Sequence, residues 1–592
     1  MKLKSNTYYY TIYFIIYFIL LLQNNYARTF YLSNKGNDSY SIDQSQNPET
    51  PWASIQKINS LKLMPGDSIL LKRGDIFYGS ISLSTAGTND MPVVIGAYGA
   101  GQNPIISGAV SLTGWKQVSS GIWSTSLPST PGYVFRGNKL LPVSKYPNGY
   151  LVVDSILSPT SFSVKGAVNQ SWVGATVNVQ LVNWALGIQR IVNINSNVIT
   201  LENPPQSGSA AGTITYITKG RNFFISNNVS LFINNGDWAY DSLQQILYIK
   251  SNDYPDSIVA SSNQAGISIK SSKNIIVQDI NVEKTAGNGI EITINCSSIY
   301  LNNIHTSFTG NAGIEVIDGN SNSIINCYIK YSGIYGIYMN SNNSYIQNCT
   351  ISNIGLNWEI IYPFTGSQII GHGIIFDYGN NGDISANIID STGYNGISFY
   401  GKQNNIYNNK ITNYCLELVD GGGIYTWGPT SAGSYVHDNF VQQTNFTDPN
   451  LLIEGIYLDD ENLNVKVEDN TIIGNQFGIY LHNAYQDIII NNKILNPLFV
   501  GIFNRNDGYP NIPVGSNEIT GNNITVNRAG VSCIGIYQNS FSDNLGTIDN
   551  NTYKSVDPKS SFLFFNLKTG KKYNYTLGQW QNNGYDKNST IR

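Results

Sequence analysis

A glycine followed by isoleucine returns at near-regular intervals through the second half of the chain, and no other feature restricts the fold so tightly. The glycines are Gly266, Gly289, Gly313, Gly336, Gly373, Gly396, Gly423, Gly455, Gly478, Gly501 and Gly535, separated by 23, 24, 23, 37, 23, 27, 32, 23, 23 and 34 residues. Each is followed by isoleucine, from Ile267 to Ile536, and a mostly apolar residue stands two positions further on. Such alternation marks a strand with one buried face. A unit recurring every 20–50 residues or so cannot bury that face alone, so its neighbours must stack on it.

A second pattern, I-x-x-[N/C]-x-I, runs in phase with the first. Its fourth position reads Gln278, Asn302, Cys327, Cys349, Asn387, Asn409, Asn439, Asn470, Asn492 and Asn522. Two short strands with polar turns then make one coil of a parallel β-solenoid, and like residues stack from coil to coil at about 4.8 Å. An inward amide at a turn satisfies backbone groups and its stacked neighbours, where a charge would be costly to desolvate. Cys327 and Cys349 occupy that column as small buried substitutes. Their Cα atoms come within disulfide reach, but parallel Cβ vectors fit a bond poorly. The five cysteines are an odd count without C-x-x-C spacing and read as buried thiols.

Composition agrees with an all-β repeat. Charged residues make up 12% of the chain, against roughly 25% in an ordinary soluble domain. There are 77 asparagines, 56 glycines and 40 tyrosines among 592 residues. A net charge of −4 leaves no basic footprint for nucleic acid, and 12% aromatic content argues against disorder. Residues 1–27 read as a secretory signal, with Lys2 and Lys4 ahead of the apolar run Tyr8 to Leu22 and a small residue, Ala27, at the cut. The expected product is an exported monomer, extracellular or periplasmic, with no membrane attachment after cleavage.

The remaining organisation follows from where the period holds. Residues 28–112 form an N-terminal cap and first coils, with 51–58 as a short amphipathic helix over the open end. Residues 113–250 lose the period and read as an inserted β-rich module. Residues 251–552 carry the repeats and the functional face, and 553–592 form the C-terminal cap.

Asp420-Gly421-Gly422-Gly423-Ile424-Tyr425-Thr426-Trp427 and Gly455-Ile456-Tyr457-Leu458-Asp459-Asp460 resemble motifs of the secreted right-handed parallel β-helix proteins of the pectate-lyase-like superfamily. So do the opening Tyr31-Leu32-Ser33, the segment Gly236 to Asp241 and the ending Gln579 to Asp586. The resemblance is to the carbohydrate-active branch, including glycoside hydrolases of α-L-fucosidase and xylanase type that trim plant and algal polysaccharides. It implies a right-handed β-helix and a catalytic aspartate at each of the two motifs.

Reading the outward columns of the Gly-Ile strand places the chemistry. Two residues after the glycine stand Tyr425, Tyr457 and Tyr480; four residues after it stand Asp377, Tyr400, Trp427, Asp459, His482 and Arg505. Aromatic faces suit sugar rings, and polar groups beside them fix hydroxyls. The long intervals fall in this same stretch, so inserted loops wall a cleft there. Glycosidic hydrolysis needs two carboxyl groups, and Asp420, Asp459 and Asp460 are the candidates. Alternation turns Asp459 outward and favours it over Asp460. Asp420 otherwise bonds its own Gly-rich turn, and Asp460 with Glu461 otherwise caps a turn or binds calcium; no cofactor is required. Asp377, about three coils or 14 Å from Asp459, reads as a subsite residue. His372 and Glu454 at the strand entrance, and His482 above Asp459, complete the expected lining. Competing functions are a polysaccharide lyase, for which the face offers Arg505 but no nearby lysine, and a non-catalytic glycan-binding or adhesive solenoid. The expected partner in each case is a polysaccharide or oligosaccharide.

Overall fold

A computed structural model of the chain describes residues 27–592 apart from 167, 206, 210, 211, 215, 358–370, 447–450, 508–514 and 541–545. The leader expected over 1–27 therefore lies, up to residue 26, outside the described residues. No described helix is long and apolar enough to cross a membrane.

The isoleucines of the repeat stack in one line. Ile267, Ile290, Ile314, Ile337, Ile374, Ile397, Ile424, Ile456, Ile479 and Ile502 pair in parallel register from coil to coil. All are at most 1% exposed and form the axis of one continuous core. The result is an all-β parallel β-helix. Each coil has three strands where two were expected. In one coil they are Ile453–Asp459, Lys466–Glu468 and Thr471–Gly474. The third strand is short and its buried apolar residue sits only two positions after the asparagine, so the pattern merged it with the turn.

The eleventh repeat is slipped by two. Ile502 pairs with Ile534, and Gly535 stands opposite Phe503. Cys533 therefore occupies the column of Gly501, and the Gly535-Ile536 match to the motif is coincidental in register. The stacking also continues beyond 552, since Phe562–Asn566 lies parallel on Ser532–Gln538 and Thr590–Ile591 on Thr552–Ser555. At the other end, only Gln56–Asn59 of the expected 51–58 helix is helical, although Trp52, Ile55 and Ile58 do cover the core.

Asn387, Asn409, Asn439, Asn470, Asn492, Asn522 and Asn551 form a ladder at the bend between the second and third strands. Each Nδ2 donates to the next Oδ1 at 2.9–3.1 Å. The same amide donates to a main-chain carbonyl one coil down, as Asn439 does to Ile406, and its oxygen accepts the previous asparagine's N–H. Cys349 joins the ladder by donating its N–H to Asn387 Oδ1. Gln278 and Asn302 do not belong to it. Asn302 pairs with Ile325, which leaves Ile304 in the column of Cys327. All five cysteines are free and buried. The residue preceding each ladder position and each of Cys327 and Cys349 turns left-handed, mostly as Asn or Asp: Asn326, Asn348, Asn408, Asp438, Asp469, Asn491 and Asn550 have φ between 53° and 57°, Ala386 55° and Gly521 69°. Asn and Asp tolerate that conformation best among residues with a Cβ.

Between the early coils and the repeats, six strands within 145–226 close into a barrel, flanked by two four-stranded sheets. The barrel has its own core, around Phe162, Val177, Val179, Ile191 and Phe223. Leu186, Ile188 and Phe224 instead join the core of the rod, so the barrel is seated on it.

Asn439 is fully bonded inside the rod, so Asn439→Ala should lower unfolding free energy by about 3 kcal/mol through stranded polar groups. Asn527, exposed outside that ladder and donating to Asn496, should cost no more than about 0.5 kcal/mol as Ala. Urea denaturation of the two variants side by side measures the difference.

Candidate active site

Two neighbouring strands, Gly421–Trp427 and Ile453–Asp459, carry the expected carboxylates. The three glycines after Asp420 begin the first strand and do not form a turn. Gly421 must be glycine because a Cβ there would lie 2.3 Å from Asn395 Oδ1 and 2.4 Å from the Tyr394 ring. Asp420 itself is left-handed, with φ of 67°. Its N–H donates to the Leu452 carbonyl at 2.5 Å, and its carbonyl accepts the Tyr394 hydroxyl at 2.5 Å. The side chain is therefore tied through its own backbone at both ends while its carboxyl remains without a side-chain partner of its own strand.

Asp459 stands beside Trp427 in the register and below His482. Its Oδ2 accepts the Tyr425 hydroxyl at 2.9 Å, and its Oδ1 accepts His482 Nδ1–H at 2.9 Å. His482 Nε2 donates to Asp507 Oδ2 at 3.0 Å, and Asp507 in turn accepts Arg505 Nε–H at 2.5 Å. The order Asp459, His482, Asp507, Arg505 alternates in sign along the axis. Burial disfavours the imidazolium, but the bonds to Asp459 and Asp507 outweigh it and hold His482 up to about 9. Asp507 is brought down to about 2, its burial overcome by His482 and Arg505. Asp507 was not among the expected residues. It lies two positions past Arg505, outside the repeat, and only its charge in a charge-poor chain pointed to it.

Asp420 behaves differently. Burial, and then the negative charge of Asp459, raise its carboxyl to about 7 despite the opposing pull of His482 and Arg505. Asp460 is also raised by burial, but it is engaged elsewhere: Asn483 donates to it at 2.6 Å and His482 lies 3.4 Å away. Geometry thus separates Asp459, at the end of its strand and bonded from two sides by Tyr425 and His482, from Asp460 in the following turn.

The remaining expected residues fall into two groups. Tyr400, Tyr425, Trp427, Asp377 and Arg505 are half-buried on the outer face. Asp377 accepts the Tyr338 hydroxyl at 2.5 Å, and burial raises its carboxyl. Tyr457 is only 3% exposed and stacks on Tyr480 at 4.8 Å, within a cluster containing Phe477 and Phe503. It supports the face from beneath and is no open platform. His372 is buried against Tyr394, shares a hydrogen bond with Ser398 and is pushed down to about 3 by burial, so it is neutral. Glu454 is fully buried, and neither carboxylate oxygen has a hydrogen-bond partner. Burial, with Asp420 and Asp459 nearby, raises it well above the carboxylate range. Both His372 and Glu454 were expected to line the cleft; both are buried instead.

Asp459, Asp460 and His482 offer ligand atoms within 4.8 Å of one another. The group supplies one imidazole nitrogen and two carboxylate oxygens, whereas calcium wants six or more oxygens. The chain is a parallel β-helix by its own geometry, and comparison with known proteins agrees. A family model described as right handed beta helix region matches residues 265–441, and one described as periplasmic copper-binding protein (NosD) matches 422–584. A lacto-N-biosidase of Bifidobacterium longum subsp. longum is 38% identical over 97 residues, 15% of this chain and 6% of that protein. The chain thus spans a small fraction of the length of this curated relative. A solved glycoside hydrolase superimposes with a TM-score of 0.57 at 15% identity, covering 78% of this chain and 95% of that one. The complex structure of XylC with xylose gives 0.48 at 14% identity, covering 90% and 86%. The protein is therefore a right-handed parallel β-helix protein. Copper does not fit the residues present: among the described residues of 422–584 the imidazole and thiol donors are His437, His482 and Cys533. His437 bonds Asp438 and Asn405 and stacks between Tyr407 and Tyr435, and Cys533 is buried.

Glu454 makes a prediction about stability. A carboxyl whose folded value lies above its unfolded one contributes fully below about pH 4 and progressively costs stability as pH rises toward the folded value. Glu454→Gln should therefore match the native protein near pH 4 and exceed it at pH 8, as read from thermal melts across that range. Equal melting temperatures at both pH values would mean that Glu454 is ionised and paired.

Proposed function

We propose that the protein is an exported glycoside hydrolase acting on an oligosaccharide or polysaccharide, with Asp420 as the general acid and Asp459 as the second carboxylate. The observation that carries this reading is the division between the two. One carboxyl is held near 7 by burial and a neighbouring charge, and the other is oriented by Tyr425 and His482. Pairs of carboxyl groups whose environments differ in this way perform acid and nucleophile or base roles in glycosidic cleavage. Support also comes from the segment shared with a lacto-N-biosidase and from the glycoside hydrolase of like fold.

The mechanism follows from these environments. Asp420, protonated below about pH 7, gives its proton to the departing glycosidic oxygen. Asp459 faces the anomeric carbon and either attacks it or draws a proton from water. Which of these it does is read from the first product anomer, retained or inverted. Tyr425 and His482 keep the Asp459 oxygens aimed, and the Asp507–Arg505 pair keeps the imidazolium in place. Tyr400 and Trp427 offer half-buried aromatic faces to the sugar. Several carboxylates on one face disfavour a uronate substrate, which sets this reading apart from a lyase. A periplasmic or extracellular location accords with the leader expected from the sequence and with the periplasmic family that matches the C-terminal half.

The tests are kinetic. Activity should be present below pH 7 and fall as pH rises through the Asp420 value, giving a basic limb of kcat/KM near 7. Asp420→Asn should lose roughly 10²–10⁴-fold on a glycan but much less on a dinitrophenyl glycoside, whose leaving group needs no proton. Asp459→Asn should lose activity on both. Wild-type rates in Asp459→Asn, or an ultraviolet-absorbing unsaturated product, would sink the assignment.

A further inference from the structure

The conformation of Asp420 has to be imposed from outside its own strand. It is left-handed without being glycine, a conformation that Asp tolerates better than most residues but that still has to be fixed by its surroundings, and three glycines follow it. Constraint on the other side comes from residues 416–419. Leu416 donates its N–H to the Thr392 carbonyl at 3.1 Å, and Glu417 and Leu418 donate theirs to Gly393 at 3.0 and 2.9 Å. These three are held by the preceding coil. Val419, adjacent to Asp420, is held by a different body: its N–H donates to the carbonyl of Asn183 at 3.0 Å.

Asn183 and Trp184 are the two-residue tip of the hairpin joining Thr176–Val182 to Ala185–Asn195 of the inserted barrel. The tip is itself braced. Arg221 Nη1 donates to Asn183 Oδ1 at 3.1 Å, Gln180 Nε2 reaches the Asn183 carbonyl at 3.4 Å, and Trp184 packs half-buried against the core of the rod. A second contact runs alongside, from the Tyr150 hydroxyl of the barrel to Glu417 Oε2 at 3.5 Å. We infer that the Asn183-Trp184 tip is a positioning element for Asp420, so that a barrel some 230 residues upstream in sequence completes the site on the rod. The inference rests on the glycosidase reading for its kinetic consequences, though not for the docking itself.

The groups that set the Asp420 environment come from every element around it: Glu454, Asp459 and Asp460 on the next coil, His482 and Arg505 beyond it, Tyr394 and Cys415 on the near side, with Glu417 and Tyr150 at the barrel contact. Releasing the tip would let 416–420, Glu417 included, move outward and rehydrate the carboxyl, while Glu454, Asp459, Asp460, His482 and Arg505 stay on their own strands and turns.

Trp184→Ala and Arg221→Ala, singly and combined, test the inference, with Trp184→Phe as the conservative control. Hydrogen–deuterium exchange of peptides spanning 416–420 should accelerate in the alanine variants, while peptides of the asparagine ladder around Asn439 remain protected. On a glycan, kcat should fall about tenfold with KM within twofold, and the basic limb of the pH profile should move to lower pH. Trp184→Phe should restore both. Unchanged exchange at 416–420 overturns the inference whether or not the enzyme cleaves glycans, because that measurement needs no substrate. Faster exchange with unchanged kcat and an unmoved basic limb also overturns it. A wild-type protein that cleaves no glycan, with exchange responding as expected, overturns the glycosidase reading and leaves the docking contact standing.

Discussion

The rod of this protein depends on the requirement that a coil present to the next the same residue, in the same place, that the previous coil presented to it. Parallel pairing along the axis forces this: a residue turned inward has as its nearest neighbours its own equivalents above and below. Isoleucine satisfies the requirement by dispersion and burial. Asparagine satisfies it at the bend because an amide is at once a donor and an acceptor, so a column of amides bonds itself end to end. A charged residue there would meet its own charge on the next coil. The scarcity of charge throughout the chain is thus a consequence of stacking.

The same requirement decides what could be read from the sequence. The Gly-Ile column was legible because it repeats a rare pair in one register, and the structure keeps ten of its isoleucines in a single parallel line. It failed at Gly535, where Cys533 and Ile534 take the expected places: a glycine in this column needs only the absence of a bulky side chain, which cysteine also provides in part. The asparagine column was legible from Asn387 onward and misaligned before Cys327, because Leu301 stands where the pattern reads Ile299. The many further asparagines had a second use that periodicity does not announce. They take the left-handed turn positions, where backbone geometry and not burial selects the residue.

Of the site, the strand residues were legible and the residues between strands were not. Asp459, His482 and Arg505 fall in one outward column, and their contact follows from the register. Asp507 lies past the end of its strand, and Asn183 and Trp184 belong to a module without the period. Both reach the site only through the tertiary fold. The depth of burial was equally invisible. Glu454 and Asp459 stand on the same strand, five residues apart in sequence, yet the first is fully buried and the second half-buried.

That difference in cover sets the proton inventory of the face. Five carboxyls converge here, Asp420, Glu454, Asp459, Asp460 and Asp507, with His482 and Arg505 as the facing cations among the described residues. The two cations are hydrogen-bonded to Asp459 and Asp507, with Asp460 3.4 Å from His482. In a low-dielectric site the carboxyls left without a partner cation can be accommodated only by taking up protons. Glu454, fully buried, is raised well above the carboxylate range. Asp420, partly open and closer to the cations, takes up its proton near neutral pH. In a rod so poor in charge, burial and the nearby charge of Asp459 thus hold the Asp420 carboxyl up to about 7, against the pull of His482 and Arg505.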